Sequence, residues 1–213
     1  LQISNKAPFP ANDGSSIAIY NMAKGLIENG VELHLLTINT KKHFKPDSEV
    51  PETFKKGANY ASVYRNTNTS IPGAFLNLFS SQSYFVSRFY FVEFETKLIE
   101  KLKQTTFDII QLEGLFMGVY IDTIKKYSEA KIVLRAHNIE HFIWKRHISN
   151  EKSAARKFYL SIQNRRLRKF ELKVLSKIDA VVPITKTDEI EFRKLDYGKK
   201  LYACITGVDV KNY

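Results

Sequence analysis

The chain has 213 residues, 44% hydrophobic and 13% aromatic, which excludes a wholly disordered chain and leaves room for one sizeable domain rather than two. Its net charge of +11 points to polyanionic partners such as nucleic acid, anionic membrane or phosphorylated substrates. The single cysteine, Cys204, excludes an internal disulfide framework and fits a reducing, cytoplasmic compartment. No apolar run approaches the roughly 20 residues that a bilayer span needs, and no signal-peptide pattern is read. The first residue is Leu rather than Met, so a trimmed start is expected.

Short apolar runs alternate with longer amphipathic ones. Leu1 to Ser4 predicts a strand. Ile17 to Asn29 predicts a helix with Ile19, Met22, Ala23, Leu26 and Ile27 on one face and Gly30 as its stop. Val31 to Ile38 and, weakly, Ser62 to Arg65 predict strands. Aromatic-rich Gly73 to Gln104 predicts two helices. Strands follow at Phe107 to Leu112, Ile132 to Arg135, Ala180 to Ile184 and Leu201 to Cys204. Between them fall helices at Gly118 to Lys126, at Asn138 to Lys177 with a break near Asn150, and at Lys186 to Leu195. The alternation predicts an α/β fold, Rossmann-like and doubly wound, with a mainly parallel sheet and right-handed crossovers. In open sheets of this kind ligands bind beyond the carboxyl ends of the strands.

Four segments stand out at such positions. The loop NKAPFPANDGSS, Asn5 to Ser16, opens the first helix. Gly14 allows close backbone approach, Ser15 or Ser16 can cap the helix, and its free N–H groups would suit a phosphate. An ordinary capped turn reads the same residues equally well, and neither a GxGxxG fingerprint nor a P-loop is present. In RAHNIEHFIW, Arg135 to Trp144, a strand delivers Arg135 and His137 to the sheet edge beside Asn138 and Glu140, where a histidine can donate to an oxyanion or accept a proton. The match of His137 to His141 with the zinc-protease pattern H-x-x-E-H is set aside, because that chemistry needs both histidines on one continuous helix and His137 ends a strand. In QLEGLF, Glu113 falls just past a strand end, as a ligand for sugar hydroxyls or a solvated loop acid. Finally, Lys145 to Lys173 holds ten Lys or Arg against two Glu. There Arg165, Arg166, Arg168 and Lys169 flank a stripe of Leu167, Phe170, Val174 and Leu175: a surface helix with its stripe buried, or one resting on anionic headgroups. Nucleic-acid readout lacks a motif.

In order, the chain reads P-x-P-x-x-D-G-S, I-x-x-Y-N-M-A-K-G-L-x-x-x-G, V-E-L-H-L-L-T, F-D-I-I-Q-L-E-G, R-A-H-N-x-E, R-R-L-R-K-F-E, D-A-V-V-P-I-T-K-T-D and T-G-V-D. Over essentially its whole length this resembles the N-terminal, acceptor-side domain of family-4 retaining glycosyltransferases of the GT-B type. The resemblance implies a metal-independent enzyme of polysaccharide biosynthesis, with no cofactor beyond a nucleotide-sugar co-substrate and with a glycan or lipid-linked acceptor. It implies that residues 1–206 form the acceptor domain and that Gly207, Val208 and Asp209 open the linker (207–213) to a donor domain that does not follow here. Gly14 and Ser15 match the family's donor-phosphate loop, with Ser15 where a second glycine is common. His137 matches the histidine beside the reacting centre, and Thr185 the hydroxyl residue near the acceptor. Glu113, Arg135 and Asn138 are expected in the acceptor site. Arg165, Arg166, Arg168 and Lys169 are membrane-facing candidates for peripheral contact at the inner face of the membrane. Two alternatives remain: a sugar- or phosphate-binding module without turnover, and one half of a GT-B-type sugar epimerase.

Overall fold

A computed structural model describes residues 1–195 and 198–205. In chain order these form β1 (Gln2–Ser4), α1 (Gly14–Glu28), β2 (Leu35–Thr40), α2 (Glu52–Gly57), β3 (Ala61–Arg65), α3 (Ile71–Leu76), α4 (Tyr84–Ser87), α5 (Val92–Gln104), β4 (Ile109–Glu113), α6 (Ile121–Tyr127), β5 (Lys131–Ala136), α7 (Glu140–Ser149), α8 (Ala154–Lys177), β6 (Ala180–Pro183), α9 (Lys186–Lys194) and β7 (Lys200–Leu201). One seven-stranded, all-parallel sheet runs β3-β2-β1-β4-β5-β6-β7. The chain first winds outward from β1 to β3 and then returns to β1's other side at β4. That reversal is the switch point at which open α/β sheets form a ligand crevice.

Both sheet faces are covered. On β2, Leu36 and Ile38 point into the larger core with Phe94, Leu98, Leu112 and Ile132, whereas Leu35, one residue earlier, packs with Ala23, Phe54 and Ala58 on the opposite face. This two-sided burial explains why the central strands read as continuous apolar runs rather than alternating ones. Gly118 sits where a Cβ would lie 2.5 Å from Val174 Cγ2, so the 3-10 segment Leu115–Tyr120 packs against α8 only because that residue is glycine.

Four sequence expectations shift. The aromatic stretch Gly73 to Gln104 is broken into α3, a 3-10 turn at Asn77–Phe79, α4 and α5 rather than two helices. The first helix starts three residues earlier than predicted, at Gly14, and β2 starts at Leu35 rather than Val31. Glu113 is not a loop residue but the last residue of β4. The proposed linker start, Gly207 to Asp209, and the boundary at 206/207 lie outside the described residues.

Candidate functional site

The site grows from the register of three neighbouring strands. Pairing of β4 with β5 sets Glu113 opposite Arg135, and pairing of β1 with β4 sets Ser4 opposite Glu113. Gly114 follows with φ +85, a conformation that L side chains rarely adopt. The chain turns there, its N–H donating to the Arg135 carbonyl at 3.0 Å. Glu113 is thereby held beneath the sheet edge, 0% exposed.

A buried carboxylate survives only when its lone pairs are filled. Glu113 Oε1 accepts from Gln2 Nε2 and Gln111 Nε2, each at 2.6 Å. Its Oε2 accepts from Arg135 Nη1 at 3.2 Å and from His137 Nε2 at 2.7 Å. Burial alone would raise the Glu113 carboxyl; the hydrogen bond from His137, the Arg135 charge and the Gln2 amide outweigh it and hold the group below its ordinary range. Arg135, 1% exposed, also donates to the Ala18 carbonyl of α1 at 3.0 Å, so the same cluster fastens α1 to the sheet.

This arrangement assigns the tautomer of His137. An ionised carboxylate only accepts, so Nε2 carries a hydrogen, and in the neutral imidazole Nδ1 then carries the lone pair. Nδ1 lies 3.4 Å from Ser15 Oγ in the first turn of α1. That contact is long for a hydroxyl hydrogen bond, so a ligand hydroxyl can replace it. The imidazole is mostly covered, with Nδ1 directed at Ser15 in the first turn of α1.

The start of α1 differs from its expected form. Asp13, not a serine, is the N-cap: its Oδ1 accepts from the Ser15 and Ser16 amides at 3.1 and 3.0 Å, and Ser16 Oγ accepts from the Asp13 amide at 3.2 Å. Lys6 pairs with the same carboxylate. Although burial pulls the other way, Lys6 and the Ser16 amide hold the Asp13 carboxyl at about 2. Two amides expected to be free for a phosphate are therefore taken. Gly14 is exposed, and a Cβ there would meet nothing within 4 Å. The described chain leaves that space open.

The remaining sequence candidates separate. Glu113 and Arg135 are too deeply buried to touch an acceptor and act instead as the frame behind His137. Asn138 is exposed beside His137. Thr185 is exposed after β6, but its hydroxyl caps α9, accepting from the Asp188 amide at 3.0 Å and donating to Asp188 Oδ2 at 2.7 Å. Of the basic residues on α8, Arg165, Arg168 and Lys169 are exposed. Arg166 is turned inward: its guanidinium donates to the Asn77 and Leu78 carbonyls, both at 2.9 Å, at a 3-10 turn whose Asn77 carbonyl also accepts from the Ser80 amide. The H-x-x-E-H pattern is dispersed, since His141 is buried against Glu171 of α8 while His137 faces Glu113.

Next to Ser15 the loops after β1, β2 and β3 enclose a polar hollow of about 580 Å³. Thr40, Lys42, Thr67, Thr69 and Arg88 line it. None was singled out from the sequence. The only available signal was the run Thr67-Asn68-Thr69 directly after a strand, and Arg88 lay hidden in an aromatic stretch read as helix.

The fold was compared with solved structures. UGT71G1 of Medicago truncatula complexed with UDP-glucose superposes with a TM-score of 0.52 at 12% identity, over 99% of this chain and 52% of that one. UGT2 of Phytolacca americana, complexed with UDP-2-fluoro-glucose and pterostilbene, gives 0.51 at 10% identity, over 94% and 52%. The chain thus spans about half the length of each. No protein-family model and no curated protein matches the sequence. The chain has the fold of one half of a GT-B glycosyltransferase.

Proposed function

We propose that this chain is the acceptor-side half of a glycosyltransferase that moves a sugar from a nucleotide-sugar to a glycan or lipid-linked acceptor. The observation that carries the reading is His137: Glu113 accepts from its Nε2 and sets the ring's orientation, and its Nδ1 lies beside Ser15 at the start of α1, where the strand order reverses. From there Nδ1 can accept a hydrogen bond from a sugar hydroxyl, and a proton gained there would be stabilised by Glu113 across the ring. Glu113 and Arg135 position it. Gly14 and Ser15 face the donor diphosphate through the open space at Gly14, with Asn138 and Thr185 toward the acceptor. Retention of configuration, independence of metal and a role in polysaccharide biosynthesis rest on the sequence resemblance; the donor would be held mainly by a second domain.

Peripheral membrane contact is part of the proposal. Around α3 and the following turn, Ile71, Phe75, Leu76 and Phe79 are 88%, 62%, 67% and 84% exposed. Tyr159 and Arg166 of α8 hold that segment through its carbonyls, so its apolar side chains lie near the basic helix. An apolar ridge beside Arg165, Arg168 and Lys169 suits the inner, anionic face of a membrane, at about 1 kcal/mol per basic residue.

The test incubates the intact protein with a panel of nucleotide-sugars, UDP-glucose included, with and without chelator. Nuclear magnetic resonance follows hydrolysis, transfer and anomeric configuration. Chelator-insensitive release of the sugar with retained configuration is expected. Binding without turnover supports a sugar-binding module instead, and release of an epimerised sugar supports the epimerase.

A further inference from the structure

The hollow beside Ser15 contains more positive charge and more unused hydrogen-bonding capacity than the described chain can satisfy. Thr40 ends β2 and is 5% exposed, yet its Oγ1 has no hydrogen-bond partner. Arg88 Nε is likewise buried and unpartnered. Its guanidinium lies 5.2 Å from the centre of the Phe89 ring, and among the described residues no carboxylate pairs with it. Lys42, on the turn after β2, also lacks an acidic partner among the described residues, whereas Lys6 close by is already paired with Asp13. Burial lowers the Arg88 guanidinium's pKa, as expected for a cation taken from water without a counter-ion. A buried polar group without a partner costs stability, and a buried cation costs more. A second basic hollow, against α8, also holds a buried unpartnered hydroxyl, Ser83, and the lysines Lys169 and Lys173, but its guanidinium, Arg166, donates to backbone carbonyls and Lys177 pairs with Asp122.

We infer that this hollow is an anion subsite that binds a phosphate group carried by the acceptor, with Arg88 and Lys42 as counter-charges and the Thr40, Thr67 and Thr69 hydroxyls as additional hydrogen-bond partners. The inference rests on the acceptor-side reading above. Guanidinium and ammonium groups set among hydroxyls match the several acceptor oxygens of a phosphate. The hollow lies over the β1-β2-β3 half of the sheet and is bounded by Ser15, which touches His137. A phosphate fixed here would leave the rest of the acceptor to reach across Ser15 toward the His137 nitrogen. A donor diphosphate, the other source of the same chemistry, would enter instead at the start of α1 beside Gly14.

Binding to the intact protein separates the two sources. Glucose 6-phosphate, glucose and UDP are titrated calorimetrically into the wild type, Lys42→Gln/Arg88→Gln and Thr40→Val. The wild type should bind glucose 6-phosphate about tenfold or more tightly than glucose, and inorganic phosphate should compete. The double variant should lose most of that preference, by about tenfold, and retain its affinity for UDP. Thr40→Val keeps the shape, so it should fold as well as the wild type while binding glucose 6-phosphate several-fold more weakly. No preference for the phosphorylated sugar in the wild type would overturn the inference. So would an equal loss of UDP affinity in the double variant, which would give the hollow to the donor. The readout is binding rather than turnover, so a failed transferase assay would sink the proposed function and leave this result standing.

Discussion

Two histidines four residues apart, His137 and His141, each contact a buried glutamate, and the two pairs differ in every other respect. Glu113 is shared between a cation, Arg135, and His137, whose far nitrogen lies beside the Ser15 hydroxyl in the first turn of α1. Glu171 lies across the first turn of α7: its oxygens accept from the Glu140 and His141 amides at 3.0 and 3.3 Å and from the His141 ring, which is itself buried. Among the described residues no Lys or Arg pairs with it. The first pair is charge-balanced and open on one side. The second is a helix cap supplied by another helix, sealed, with a second carboxylate at Glu140 beside it. The same side-chain types thus make a half-open edge in one place and a buried joint in the other, according to what lies behind the carboxylate and what lies in front of the imidazole.

The largest effect expected from this contrast is on stability. Glu113→Gln leaves Arg135 as a buried cation and turns an amide toward the Gln2 and Gln111 donors, so it should cost about 3–5 kcal/mol. Glu171→Gln keeps an acceptor for the α7 amides and strands no cation, so about 1–3 kcal/mol is expected. Urea unfolding of both variants measures the difference. Equal losses would mean that Arg135 is not balanced by Glu113 and that the frame behind His137 is not an ionic one.

Next comes rate. On the proposed function, His137→Ala in the intact protein should lower kcat by roughly 100-fold, the scale for losing one positioned catalytic group. The fold should survive, at a cost of about 1–3 kcal/mol, because Glu113 keeps its other donors. His141→Ala should cost a similar amount of stability with the buried hydrogen bond to Glu171, but leave kcat of the folded fraction unchanged. If the two substitutions cost the same in rate, His137 is a structural histidine and the site assignment fails.

Much of this contrast was legible in the sequence and part was not. The apolar run Ile132 to Leu134 placed His137 at a strand end, and that position separates it from His141, which falls in the first turn of the next helix. What stayed hidden depends on contacts between distant residues. Nothing in QLEG indicates that Glu113 ends β4 opposite Arg135, because strand register is set by the whole sheet. Nor does any local pattern reveal that Glu171, 30 residues beyond His141, closes the start of α7. Asp13 was overlooked as a cap because two serines after a glycine form a competing pattern with the same local chemistry. Arg88 was lost because Ser80, Ser81 and Ser83 break the aromatic stretch into short helices that no periodicity resolves.

The smallest effect is the most specific, because the two carboxylate clusters should respond to pH with opposite sign. Glu113 titrates below its ordinary range when folded, so its contribution is present above that range and is lost as pH falls through the folded value. Glu140 does the reverse. Burial first, and then the Glu171 charge, raise its carboxyl to about 7 against an ordinary value of 4.5, with a hydrogen bond from Asn138 opposing. Between those values the folded state keeps a proton that the unfolded chain has released, so stability is greatest below 4.5 and declines as pH rises to 7. Each pKa unit corresponds to about 1.4 kcal/mol, and partial exposure reduces the total, so about 1–3 kcal/mol is at stake. Glu140→Gln removes the titration and retains a polar side chain beside Asn138. The variant should match the wild type near pH 4 and exceed its stability by about 1–3 kcal/mol at pH 8, with the gap opening between the two values. Reading the difference between variant and wild type at each pH cancels the titration of Glu113 and Asp13, which is common to both. A gap that fails to open by pH 8 would mean that neither burial nor the Glu171 charge raises the Glu140 carboxyl, and the description of the α7–α8 joint as sealed would fall with it.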